Sequence, residues 1–397
     1  MVGWVDYVFA AAMFRCRVWG LDSRQTSLSQ LYDQNSESYY SERDPLFERA
    51  NRCQVNSAWS PNDSSIFTLP PELFGCYNEP SSPVLNGSQV LMYIPTGQAG
   101  QHIFTIQGGA SGQITLASAP DNTAQEIVYD IVIQSNPPSL EKVTFSQLPP
   151  GPVIGPSTDF VIDTPTTMVQ TSPTAPPACM RFDVTMYIPR NLRQLTVNVS
   201  TPVQINFSPQ AHVELDNLSI SITSTHPKCR IDSSGSLQAA FLDIEMDTGL
   251  IQGPISIGES TKITNWNGEI ELDTIPNAPR DLLNPSTALL QTTSYGKVTI
   301  RYLRNFAYRR RPIQSWHTMG IQDTSIGSFD YGCSGFNGLL FSNSTNYNIT
   351  NASYWPQKEG PSGNASWPII IGNRTGGDEI YIVSGSDSIV LPDIPFI

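Results

Sequence analysis

The sequence predicts an all-β fold, a stacked single-stranded β-solenoid of β-helix type with irregular coils. Three observations predict it. Short segments alternate apolar and polar residues, the period of a strand with one buried face. Only 14% of the 397 residues are charged, while Pro and Gly number 32 and 28, a composition for many turns between short strands rather than for long helices. A glycine-led segment also recurs through the second half of the chain. A β-sandwich is the alternative, because alternation alone does not separate the two architectures.

Residues 1–62 read as a leader, largely disordered, with a possible signal or anchor remnant at its start ("MVGWVDYVFAAAMFRCRVWG"). The apolar run from Tyr7 to Phe14 has no basic residue before it and Asp6 beside it. It is short of the roughly 20 apolar residues that cross a bilayer. No later segment is long and apolar enough either, so multi-span membrane insertion is not expected. Residues 63–305 read as the solenoid. "VLMYI", "HIFTI", "QITLA", "EIVYDIVIQ" and "KVTFSQL" are strands separated by Gly, Asn and Pro turns. Residues 149–177 are rich in Pro and Thr and read as a long loop. Strands resume at "RFDVTMYIP", "QLTVNV", "VQINF", "HVELDNLSISI" and "AAFLDIEM". Residues 306–397 read as a glycosylated C-terminal extension.

The repeat is clearest in "DTGLIQGPI", "TNWNGEIEL" and "TTSYGKVTI", led by Gly249, Gly268 and Gly296. "DSSGSLQAA" at Gly235 is a weaker copy and "ASGQITL" at Gly112 a distant one. The irregular spacing suits stacked coils with variable loops. Alternation points Ile270 and Leu272 inward and Glu269, Glu271 and Asp273 outward. Val298 and Ile300 point inward, with Lys297, Thr299 and Arg301 outward. Aligning the glycines sets Lys297 over Glu269 and Arg301 over Asp273, an opposite-charge ladder outside a sheet. The glycines are expected to supply the positive φ of a tight corner.

In these segments, with Phe67, Leu69 and Pro70 as an entry motif and "VTMYIP" from Val184 to Pro189, the chain resembles the β-solenoid family of candidate adhesins. It is similar in particular to fungal surface or secreted members of unknown function. The resemblance covers roughly residues 53–305. It implies an adhesin-like role and no catalytic residues, because the family has none established. The last ninety residues depart from the pattern.

Ten Asn-x-Ser/Thr triplets occur, at Asn62, Asn86, Asn198, Asn206, Asn217, Asn343, Asn348, Asn351, Asn364 and Asn373. Half fall between Asn343 and Asn373. Such a cluster points to the secretory pathway and to an exposed C-terminal region. Six cysteines carry no Cys-x-x-Cys pair. In an oxidising compartment Cys53 with Cys76 and Cys179 with Cys229 are the disulfides expected; free buried thiols are the alternative. The net charge of −13 argues against nucleic-acid binding, which needs basic surface.

No nucleophile elbow, P-loop, dinucleotide fingerprint or His-x-x-x-His pair is present among His102, His212, His226, His317 and their surroundings. Asp243, Glu245 and Asp247 share one strand face, and Glu269, Glu271 and Asp273 share another. The bland reading is a solvated face; Asp243, Glu245 and Asp247 are also weak Ca²⁺ candidates, since that cation takes oxygen ligands. Arg301, Arg304, Arg309, Arg310 and Arg311 form either an anion patch or a solvated loop. Trp316, Trp355 and Trp367 either stack on sugars or anchor loops.

The function expected is a non-catalytic, adhesin-like structural or binding protein, extracellular or at the cell surface. Its partners would be cell-wall or surface glycans or proteins. The alternative is a polysaccharide-acting β-helix enzyme, which needs two carboxylates facing one groove at about 5 to 9.5 Å.

Overall fold

The computed structural model describes residues 89–391, apart from positions 98 and 236 and segments 120–124, 137–142, 149–156, 167–178, 210–212, 279–285, 304–310, 320–326, 334–337, 343–346, 350–368, 372–376 and 385–388. The chain divides into two units, Met1–Ala58 and Trp59–Ile397, and every described residue lies in the second. The leader expected over 1–62 lies outside the described residues.

The described residues form strands and no helix. The strands are β1 (Val90–Pro95), β2 (Gln101–Gln107), β3 (Ser111–Ser118), β4 (Glu126–Asn136), β5 (Thr144–Leu148), β6 (Thr158–Asp163), β7 (Cys179–Ile188) and β8 (Gln194–Val199). Next come β9 (Val203–Phe207), β10 (Val213–Ile222), β11 (Arg230–Asp232), β12 (Leu237–Met246), β13 (Leu250–Ile257), β14 (Ser260–Asn265), β15 (Glu269–Pro276) and β16 (Ala288–Ser294). The last are β17 (Val298–Leu303), β18 (Ile313–Met319), β19 (Gly327–Cys333), β20 (Gly338–Ser342), β21 (Tyr347–Ile349), β22 (Ile369–Ile371), β23 (Asp378–Ser384) and β24 (Ile389–Leu391). Every segment read as a strand from the sequence contributes to one.

The strands build two mixed sheets of 12 each. Sheet I runs β1-β4-β7-β3-β9-β11-β13-β15-β17-β19-β24-β21, and sheet II runs β22-β20-β23-β18-β16-β14-β12-β10-β8-β2-β6-β5. Neighbours are parallel except β1–β4, β4–β7, β5–β6 and β20–β22. From β8 to β19 successive strands fall in alternate sheets.

Register follows from the alternation, since a one-residue slip would turn every apolar side chain to solvent. In sheet I the matched inward positions Ile131, Val184, Ile114, Ile205, Ile231, Ile251, Ile270 and Val298 form one buried aliphatic row. In sheet II the row is Phe160, Phe104, Val197, Ile220, Ile244, Ile263, Thr292, His317 and Ile382. The inner faces of the two sheets meet, as when Tyr129 of sheet I packs on Phe104 of sheet II at 5.0 Å between ring centroids.

The repeat glycines stack in adjacent parallel strands. A Cβ on Gly249 would strike the Cys229 carbonyl oxygen, one on Gly268 that of Gly249, and one on Gly296 that of Gly268. Positive φ, expected of them all, occurs at Gly249 (127°) and Gly235 (75°) but not at Gly268 or Gly296. At those two positions close backbone approach excludes a side chain, rather than conformation. Gly235 lies outside the stack, against Pro254.

Two expected boundaries change. The Pro/Thr-rich stretch 149–177 contains β6, whose Phe160 and Ile162 are fully buried; its alternation is short and hidden among prolines. Both sheets also continue past residue 305, through β18, β19, β20 and β23.

Candidate functional site: the outer face of sheet II

The two outer faces differ in chemistry. Sheet I carries self-neutralised ion pairs: Arg181–Asp183 at 2.9 Å, Arg230–Asp232 at 2.7 Å, Lys297–Glu271 at 3.1 Å and Arg301–Asp273 at 3.2 Å. The expected Arg301–Asp273 rung forms. Lys297 reaches diagonally to Glu271 instead of meeting Glu269, because a long side chain spans to the next outward position.

Sheet II collects aromatic side chains. Alternation turns Trp316 of β18 outward while His317 points in, and the same holds for Tyr381 of β23 and Phe341 of β20. Register sets the three in one row. Trp316 and Tyr381 stack at 5.7 Å and 10°, and Phe341 and Tyr381 at 4.6 Å and 4°. Glu379, one outward position along β23, accepts hydrogen bonds from Gln314 Nε2 (3.0 Å) and the Tyr381 hydroxyl (3.2 Å). Partial burial, then the Glu379 charge and hydrogen bond, raise the Tyr381 phenol above its usual pKa. Phe241 lies on the same face, half exposed. Trp266 and Tyr295 pair at 6.0 Å just beyond the ends of β14 and β16, and Trp266 Nε1 donates to Glu245 at 3.0 Å. Apart from Leu91 and Tyr93 of β1, the exposed large apolar side chains among the described residues belong to strands of this sheet or follow them directly.

The sequence-predicted site residues are dispersed over this frame. Asp243 and Glu245 stand on β12 of sheet II, and Asp247 follows that strand; Glu269, Glu271 and Asp273 stand on β15 of sheet I. The two triads therefore face away from each other across the core. Asp243 faces Lys262 at 3.7 Å. Among the described residues no group of three His, Cys, Asp or Glu is gathered to hold a metal.

Arg311 leaves the anion patch. It is 4% exposed, with Nε donating to Ser286 O, Nη1 to Gly258 O, and Nη2 to Glu259 Oε2 (2.6 Å) and Ser286 Oγ (2.8 Å). Arg304, Arg309 and Arg310 lie outside the described residues, as do Trp355, Trp367 and His212.

The expected Cys179–Cys229 disulfide is corrected. Cys229 is a free, buried thiol. It precedes β11, and β7, which begins at Cys179, is three strands away in sheet I. That is about 14 Å at the ordinary spacing, well beyond disulfide reach. Burial pushes the Cys229 thiol pKa up, so alkylation followed by peptide mapping should leave Cys229 unlabelled in the native protein and label it in urea. Labelling before unfolding would contradict this placement. Cys53 and Cys76 lie outside the described residues. Of the sequons, Asn198 and Asn217 sit half-buried on outward positions of sheet II, and Asn206 on sheet I accepts from Gln204 Nε2 at 3.0 Å. Asn348 lies in β21. Asn62, Asn86, Asn343, Asn351, Asn364 and Asn373 lie outside the described residues.

Sequence reading singled out Trp316 but missed Tyr381, Phe341, Phe241, Trp266 and Tyr295. The alternation in "EIYIV" carries the outward position of Tyr381; its neighbourhood with Trp316 has no local signal.

No helix among the described residues is long and apolar enough to cross a membrane. No protein-family model matches the chain, and no curated protein matches it. The chain aligns with the solved structure of a candidate cell adhesion protein from Clostridium sporogenes, with 7% identity and a TM-score of 0.27, over 76% of this chain and 97% of that one. It also aligns with a candidate adhesin from Bacteroides fragilis, with 8% identity and a TM-score of 0.37, over 77% of this chain and 97% of that one. At this level of likeness neither structure bears on function.

Proposed function

We propose that the chain is a non-catalytic, adhesin-like binding protein of the cell surface or extracellular space, wound as a β-solenoid, that presents the outer face of sheet II to its partner. The winding is supported by the strand order. Between β8 and β19 each strand pairs in parallel with the one two places on, which a sandwich of antiparallel hairpins would not produce.

The observation that carries the binding role is the outward-facing row Trp316–Tyr381–Phe341, exposed at Trp316 and half-buried at the other two. Aromatic side chains left on one sheet face, beside polar and acidic neighbours, mark a contact surface. Cell-wall or surface glycans and proteins are the partner classes. Tyr381 has a ring stacked on each side, so a sugar would find a free ring face only at Trp316 or Phe341.

The test compares binding to a glycan array and to cell-surface preparations. Wild type and a Lys297→Ala/Glu271→Ala variant on sheet I are expected to bind alike. Trp316→Ala/Tyr381→Ala is expected to lose at least tenfold, about the 1–2 kcal/mol of one interfacial aromatic anchor. Equal binding by all three proteins would reject the face. The surface location predicts a drop of several glycan masses on enzymatic N-deglycosylation of protein from a secreting host; an unchanged mass would reject it.

A further inference from the structure

The outer face of sheet II is one-sided in charge as well as aromatic. Its outward positions hold Asp159 and Asp163 on β6, Glu214 on β10, Asp243 and Glu245 on β12 and Glu379 on β23. Among the described residues its strands carry one lysine, Lys262 of β14, and no arginine. Lys262 faces Asp243 at 3.7 Å. On sheet I, by contrast, four carboxylates each meet a lysine or arginine at 3.2 Å or less. Solubility alone accounts for scattered carboxylates, but not for their placement against the aromatic groups of one face.

That placement is close. Trp266 Nε1 donates to Glu245 Oε1 at 3.0 Å, and Tyr295 lies beside Trp266 at 6.0 Å between ring centroids. Asp247 follows β12 just as Trp266 follows β14 and Tyr295 follows β16, and Asn267 N donates to Asp247 O at 2.9 Å. Trp266 is 37% exposed and Tyr295 50%. Exposed rings with a carboxylate at their edge are the two halves of a site for a guanidinium or ammonium group. The ring face attracts the cation and the carboxylate accepts its N–H. A neutral sugar gains nothing from the net negative charge, and an acidic glycan is repelled by it.

This pair is continuous with the Trp316 row. Gln291 of β16 is matched to Trp316, and Tyr295 stands four residues further on, about 13 Å along the strand. Between them the outward positions are Thr293 of β16 and its match Thr318 of β18. One extended segment of about four residues therefore reaches from one aromatic group to the other.

We propose, resting on the reading that sheet II presents the binding face, that its partner is a basic protein segment. An arginine or lysine of that segment docks on the Trp266–Tyr295 pair against Glu245, and the chain continues over Thr293 and Thr318 to Trp316.

The first probe is an octa-arginine peptide beside its octa-citrulline counterpart, which keeps the shape and loses the charge. The full chain is expected to bind the arginine peptide at least tenfold more tightly. Trp266→Ala/Glu245→Gln is expected to weaken that binding about tenfold. Glu269→Gln on sheet I, which removes the same single charge, is expected to change it by less than about twofold. Equal binding of the two peptides overturns the proposal, and so does an equal loss in the two variants, which would mark a diffuse charge effect. The second probe is the cell-surface preparation, treated either with periodate to oxidise glycans or with phenylglyoxal and acetic anhydride to block arginine and lysine. Blocking is expected to reduce binding at least tenfold and periodate to leave it unchanged. The reverse pattern, with binding still lost in Trp316→Ala/Tyr381→Ala, keeps the face but makes its partner a glycan and overturns the proposal. Unchanged binding by that variant removes the face itself and the proposal with it.

Discussion

Replacing Arg311 by leucine is expected to lower the unfolding free energy by about 3–5 kcal/mol, the usual penalty for removing one partner of a buried ion pair. The guanidinium joins three stretches of chain that are far apart in sequence: Gly258 and Glu259 after β13, Ser286 before β16, and its own segment before β18. Without it the Gly258 and Ser286 carbonyl oxygens and the Glu259 carboxylate each lose a donor. Arg301→Leu is the control, because it also pairs with a carboxylate, Asp273 at 3.2 Å, but from a side chain that is 40% exposed; about 1 kcal/mol or less is expected. Urea titration at pH 7 followed by tryptophan fluorescence reads both. If the two variants unfold at the same urea concentration, the Arg311 cluster is not the fastener its geometry implies.

Gly268→Ala is expected to cost about 3 kcal/mol, towards the upper end for overpacking. The added methyl would collide with the Gly249 carbonyl and the Asn265 amide. Asn265 cannot swing away freely, because its Nδ2 donates to both Gly249 O and Glu269 O at 3.0 Å. A backbone obstacle yields only if neighbouring strands shift, which would disturb the matched rows on either side. Gly235→Ala separates crowding from conformation. It has a φ of 75°, but a Cβ there would come closest to Pro254 side-chain atoms at 3.1 and 3.2 Å, with the Pro254 carbonyl oxygen at an ordinary 3.6 Å, so about 1–2 kcal/mol is expected from its left-handed backbone. A loss in Gly268→Ala no larger than that in Gly235→Ala would show that close approach does not select the stacked glycine.

The glycine repeat illustrates what a single sequence reveals. "GLIQ", "GEIE" and "GKVT" were visible as one motif because each inward aliphatic is flanked by polar residues. The fourth member is "CRID", where Cys229 holds the glycine position. It was hidden because cysteine in place of glycine removes the mark by which the other three were recognised. "DSSGSL" looked more alike and is unrelated. Likewise β6 was lost among prolines, although its alternation is intact once the neighbouring strands are known.

The candidate site was legible only in part. The sequence singled out Trp316 but read no strand around it; β18 places it outward and His317 inward. The sequence could not say that β23, some sixty residues on, enters beside β18 and sets Tyr381 against Trp316. Nor could it show that Tyr302 reaches His317 across the core.

By itself the sequence determined which side of each strand is apolar, where turns interrupt the strands, and where only glycine fits three adjacent strands. These follow from local steric and solvation preferences, which each segment carries with it. The tertiary structure alone decided strand order, the separation of the two acidic triads onto opposite faces, the burial of Arg311 and the hydrogen bonds that join Tyr129 to His102 and Tyr302 to His317 across the core. The alternation of β3 would suit many neighbours equally well; its place between β7 and β9 is fixed by long-range pairing, whose energy depends on all the rows closing together.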